Sequence, residues 1–173
     1  MAVLKALDDD KRAELKDAVG KKDLPSEGDG GIISTMEKEV AASDKPSISI
    51  SSPRFPTTQT EIDRIVSNEL SGVRFSAPIS YNPRLRTSYG QTKTIIKGSS
   101  IVSQTIEIGK QSRPGTAELI DTILHEEMEA RIVRRAVKNP DSIWGAMDRA
   151  GEAGTHPYLL PIVSRFMKLK GWS

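Results

Sequence analysis

The 173-residue chain contains no cysteine. Disulfides, thiolate metal sites and a cysteine nucleophile are therefore excluded, and no thiol ties the chain to an oxidising or a reducing compartment. Aromatic residues make up 5% and apolar residues 36%, too little for the whole length to be packed core. Rings are also too scarce to define a recognition groove, so Trp144 and Trp172 read as packing residues. No apolar run reaches the roughly 18 residues that a membrane helix needs, and residues 1–19 lack the apolar stretch of a signal peptide. The net charge of +2 is too mild to point to nucleic acid by itself. Histidine occurs only twice, which makes the setting of each one informative.

The length suggests one compact domain with an appended segment. Residues 1–55 read as a helical or flexible N-terminal segment and linker, and residues 56–173 as the folded domain. Val3, Leu4, Leu7, Leu15 and Val19 have loose helical spacing over 2–19. Pro25, Gly28, Gly30 and Gly31 break that helix, and 32–42 forms a short second one. Residues 43–60 are rich in Ser, Pro and Thr and read as a linker, with the domain boundary near Pro56. Thr60 with Asp63 resembles a cap and a first-turn acid. Ile62, Ile65, Val66 and Leu70 follow at helical spacing, and Gly72 stops the helix.

A region of β character comes next. Residues 73–75 and 79–81 are short candidates, 85–92 alternates around Gly90, and 94–97 is β-branched. In 101–108, Val102, Ile106 and Ile108 share a face that Gln104 interrupts. Thr116 then caps a long helix over 117–138, which Asn139-Pro140 ends. A short helix over 141–150 and a loop over 151–155 lead to an amphipathic helix over 157–170. That helix carries Leu159, Leu160, Ile162, Val163, Phe166 and Leu169. The expected fold is α+β, with a small, mostly antiparallel sheet packed on the long helix and the C-terminal helix.

The long helix carries Thr122-Ile123-Leu124-His125-Glu126-Glu127-Met128-Glu129-Ala130-Arg131. Residues four apart on a helix share a face, so His125 and Glu129 point into one volume with Glu126 a short step around. Leu119, Ile123, Ala130, Val133 and Val137 form an apolar stripe, and Glu126 falls within or beside it. A carboxylate there is costly to bury without compensation. Glu127, Arg131, Arg134 and Arg135 lie largely elsewhere and read as solvated or ion-paired. His156 precedes Pro157, a favoured first helical residue. It either caps the last helix or closes a site over the long one. In the second case His125, Glu129 and His156 form a two-His, one-Glu set, the composition of an open catalytic zinc site. Glu126 is then the base that takes a proton from water. The spacing is close to H-E-x-x-H, with Glu129 where the second His would stand.

Residues 84–170 resemble the SprT-like branch of the zincin metalloproteases. The resemblance rests on Arg86-Thr87-Ser88-Tyr89-Gly90, on Gln104-Thr105-Ile106-Glu107-Ile108, on Leu119, Thr122, His125 and Glu126 of the helix, and on the later His156. It implies a zincin-like fold, zinc on His125 and His156, and Glu126 as base. Glu129 departs from the pattern by standing in for a histidine. The tail from His156-Pro157-Tyr158 to Gly171-Trp172, taken with the helix motif, also resembles the C-terminal toxin modules of bacterial polymorphic toxins of the contact-dependent or Rhs type. That implies a secreted effector delivered into a target bacterial cell, acting in its cytoplasm, with a cognate immunity protein and a protein or RNA substrate. Two other functions fit the residues. One is a metal-independent ribonuclease using His125, Glu126 and Arg131, with Arg84, Arg86, Lys93 and Lys97 on phosphates. The other is a non-catalytic binding module on a degenerate zincin scaffold.

Overall fold

A computed structural model describes residues 31–43, 57–85, 88–111 and 116–172. The expected helix over 2–19, the break that follows it, the boundary near Pro56 and the pair Arg86 and Thr87 lie outside these residues. The described elements are α1 (Ile32–Ala42), α2 (Gln59–Ser67), β1 (Ile79–Tyr81), β2 (Gly90–Lys97), β3 (Ser100–Ile108), α3 (Thr116–Lys138), α4 (Ile143–Ala150) and α5 (Glu152–Lys170). The fold is α+β.

The sheet has the order β1-β3-β2. β2 and β3 form an antiparallel hairpin running from Gly90 opposite Ile108 to Lys97 opposite Ser100. Gly98, with φ of +64°, occupies the two-residue turn, a position that favours glycine. β1 pairs with the other edge of β3 in parallel, with Ile79 opposite Ile106. The sheet is therefore mixed: the longer pairing is antiparallel, as expected of a mostly antiparallel sheet, and the short edge strand β1 adds a parallel one. Residues 73–75, expected as a strand, form none. The backbone groups of Arg74 and Ser76 are spent on helix side chains, and Val73 N donates to the Leu70 carbonyl. Arg74 N donates to Glu39, Ser76 N donates to Glu127, and the carbonyls of Arg74 and Ser76 accept from Arg131 and Arg134.

Gln104 does not interrupt the inner face of β3. It is buried beside Ile106 and Ile108 with its amide satisfied. Its Nε2 donates to the Ala130 carbonyl at 3.0 Å and to Thr94 Oγ1 at 3.1 Å, and its Oε1 accepts from Arg134 Nε. Val102 is the exposed member of that row.

α3 is the central element. The sheet covers one side of it, and α4, α5 and α1 pack elsewhere around it. It therefore buries Ile120, Leu124, Met128 and Ile132 as well as Leu119, Ile123 and Ala130, more than the single stripe expected. α5 contributes Leu159, Ile162, Val163, Phe166 and Met167 to the same core, and Trp172 closes it. α1 shares that core through Ile32, Ile33, Met36 and Val40.

Several helix starts differ from expectation: α3 already includes Thr116, and α4 begins at Ile143 rather than at 141. Thr58, not Thr60, caps α2, its Oγ1 accepting from Glu61 N at 3.2 Å. α5 begins at Glu152 rather than at Pro157, so the expected loop over 151–155 is mostly helix. Thr155 supports that first turn, with its N–H and its hydroxyl both donating to the Gly151 carbonyl. His156 consequently lies inside a helix and not at its mouth. The start of α4 matches its chemistry, since Ser142 accepts from Gly145 N.

Candidate metal centre

The helical repeat of α3 sets His125 and Glu129 one turn apart, and the earlier start of α5 swings His156 over both. His125 Nε2 lies 3.5 Å from Glu129 Oε1, and His156 Nε2 lies 3.6 Å from the same oxygen. The two imidazoles meet edge to face, with ring centroids 4.9 Å apart at 68°. One ligand atom from each of the three residues lies within 4.8 Å of the others. The cluster can thus hold a metal ion.

Ligand bonds of about 2.0–2.2 Å at tetrahedral angles set neighbouring ligand atoms roughly 3.3–3.6 Å apart. The two N-to-O separations, 3.5 and 3.6 Å, stand near that spacing, and all three ligand atoms lie within 4.8 Å of one another. The donor set of two imidazoles and one carboxylate suits zinc chemically.

Glu129 Oε1 also lies 3.4 Å from Thr155 Oγ1, whose single proton is shared with the nearer Gly151 carbonyl. Burial works against a charged His125, but the carboxylates of Glu129, Glu126 and Asp121 outweigh it and raise its pKa above the ordinary imidazole value. Burial likewise raises Asp148 on α4, with Glu129 adding to the shift and Arg149 opposing it.

The triad opens into a cleft of about 770 Å³ between α3, the start of β2 and α5. Glu126 lines it, and its carboxylate is held from the sheet. Thr92 Oγ1 lies 3.0 Å from both Glu126 Oε2 and the Glu126 carbonyl, so its single proton is shared between them. A Cβ on Gly90 would stand 2.6 Å from the Glu126 carboxyl group. Only glycine at that position lets the acid lie against the strand. The cost of burying Glu126 beside the apolar stripe is met in part by the Thr92 hydroxyl. The rim is braced by Gln111. It donates to the carbonyls of Tyr89 and Gly109 and accepts from Thr122 on α3.

Arg131 is placed elsewhere. Its Nε donates to Glu127 at 2.7 Å and its Nη2 to Glu39, and it borders a separate depression of about 210 Å³. Glu127 is fully buried rather than solvated and also accepts from the Ser76 N–H and hydroxyl. Of the basic residues proposed for phosphates, Lys93 pairs with Glu107 at 2.8 Å. Lys97 and Arg84 are exposed, away from the cleft lining.

Sequence reasoning gave no site role to Gly90, Thr92, Asp121, Tyr89 and Leu160, all in the cleft lining. Asp121 had a signal, because it stands four positions before His125, the same spacing that sets Glu129 after it. Tyr89 and Gly90 stood in the strand motif that carried the resemblance, whereas Thr92 had no signal, since only the packing of β2 on α3 brings it to Glu126.

No protein-family model, curated protein or solved structure matches the chain. Among the described residues, no helix is long and apolar enough to cross a membrane.

Proposed function

We propose that this chain is a metal-dependent hydrolase with a zincin-like metallopeptidase site, serving as the toxin module of a bacterial effector. The carrying observation is that His125, Glu129 and His156 offer ligand atoms within 4.8 Å of one another while Glu126 lines the same cleft. The effector context rests on the resemblance of the tail from His156 to Trp172. It implies action in the cytoplasm of a target cell and a partner immunity protein.

A zinc ion held by the triad would supply a Lewis acid for the scissile carbonyl and for the attacking water. Glu126 is the general base. It takes one proton from water as the water oxygen bonds to the carbonyl carbon. It gives that proton to the amine nitrogen as the C–N bond breaks. Thr92 orients the carboxylate by holding Oε2. The cleft gives an extended peptide room along β2, and Gln111 keeps the rim fixed against α3.

The ribonuclease reading has weaker support, because Arg131 is committed to Glu127 and Glu39. The non-catalytic reading differs from the hydrolase in one measurable respect, turnover. Purified without chelator, the protein should carry about one zinc per chain by atomic emission. His125→Ala and His156→Ala should each lose it, and Glu126→Gln should keep it. Expression in a bacterial cytoplasm should be toxic, and Glu126→Gln should abolish the toxicity. Metal without toxicity or peptide cleavage would favour the binding module. Metal-free protein that degrades RNA would favour the ribonuclease.

A further inference from the structure

Resting on the hydrolase reading, we infer that the cleft selects substrates with a lysine or arginine close to the scissile bond, and that Asp121 is the residue that selects them. Asp121, His125 and Glu129 follow one another at four-residue intervals on α3, each step about 6 Å along the axis. All three line the cleft, and among the described residues no lysine or arginine does.

The charges at the site then sort themselves. A zinc ion carries two positive charges, and Glu126 and Glu129 together carry two negative ones. Both acids are spent, one as base and one as ligand. Asp121 remains, an exposed carboxylate that forms no salt bridge among the described residues; its favourable charge interaction is with His125, whose ring is neutral once it holds a metal. In an extended peptide, side chains on one side repeat about every 6.6 Å. Asp121 therefore meets a side chain within a residue or two of the bond being cut.

The rim is built for a long cationic side chain in particular. Tyr89 and Leu160 line the same cleft and are 51% and 57% exposed. They offer apolar surface to an aliphatic stem, while Asp121 takes the charged head. The Tyr89 ring face is also attractive to a cation. The local sign opposes that of the whole chain, which carries +2. Non-specific attraction would therefore favour acidic peptides, not basic ones.

The test uses the full chain carrying Glu126→Gln, loaded with zinc, so that peptides bind without being cut. A fluorescent lysine-containing peptide and its glutamate-for-lysine counterpart are titrated at low salt. The lysine peptide should bind at least about threefold tighter, a margin typical of a partly exposed charge pair. Adding Asp121→Asn should erase most of the difference, and Asp121→Lys should reverse it. High salt should shrink it. Zinc-loaded protein that shows no preference, or a preference that survives Asp121→Asn, would overturn this inference and leave the hydrolase reading intact. Protein that takes up no zinc would overturn both.

Discussion

Glu126 and Glu127 are neighbours in the chain, both buried, and the fold uses them in opposite ways. Glu127 points away from the cleft into a closed polar knot. Ser76 gives it a backbone N–H and a hydroxyl, and Arg131 gives it a guanidinium that Glu39 also holds. That knot ties α1, the 73–76 segment and α3 together. Glu126 points to the cleft, where Thr92 supplies a shared hydroxyl proton and Gly90 supplies space. One carboxylate is surrounded by partners that hold the scaffold. The other sits beside imidazoles and open volume. Burial alone does not separate a structural acid from a chemical one; what the acid faces does.

Substitutions can break this contrast. Removing one partner of a buried, hydrogen-bonded pair costs about 3–5 kcal/mol. Glu127→Ala should therefore lower unfolding stability by that amount in urea titrations. Glu126→Gln should cost less than about 1 kcal/mol, since it keeps the shape and an acceptor for Thr92, yet it should abolish hydrolysis. Equal stability losses at the two positions would remove the distinction.

Gly90→Ala comes next. The added methyl meets the Glu126 carboxyl group, and overpacking of this kind costs about 1–3 kcal/mol. Catalysis should suffer more than folding, because the displaced group is the base. Thermal unfolding and peptide cleavage measured on the same sample would compare the two. Thr92→Val removes one hydroxyl and should cost about 1 kcal/mol, with slower peptide cleavage as the base loses its anchor.

The mildest effect is on pH. In the metal-free chain the raised pKa of His125, set by burial opposing Glu129, Glu126 and Asp121, makes the protonated ring stabilising. That contribution is complete below the ordinary imidazole value and disappears as pH climbs through the raised one. A metal needs the neutral ring, so metal affinity should rise over the same interval. Zinc titrations from about pH 5 to about pH 8, the range in which histidine ordinarily switches, check the direction.

The sequence carried much of the fold where the signal is local. The periodicity of α3, the Asn139-Pro140 stop and the alternation of β3 are readable because each depends on neighbours in the chain. A spacing of four from His125 to Glu129 suffices to put them on one face. The rest depends on tertiary contacts. The start of α5 is obscured by Gly154, whose low helix propensity is overridden where it and Thr155 are buried inside the helix, while Gly151 caps it from outside. Gln104 looked like a flaw in an apolar row because its partners, the Ala130 carbonyl and Arg134, come from another element. The parallel pairing of β1 and the side-chain bonding of 73–76 involve residues far apart in the chain, beyond any local pattern.

The most direct test is an anomalous-difference map from a crystal of the full chain grown with zinc. The expected result is one peak about 2.0–2.2 Å from an imidazole nitrogen of His125, an imidazole nitrogen of His156 and a carboxylate oxygen of Glu129. An empty map at the triad, or zinc held elsewhere with the three side chains turned apart, would contradict it.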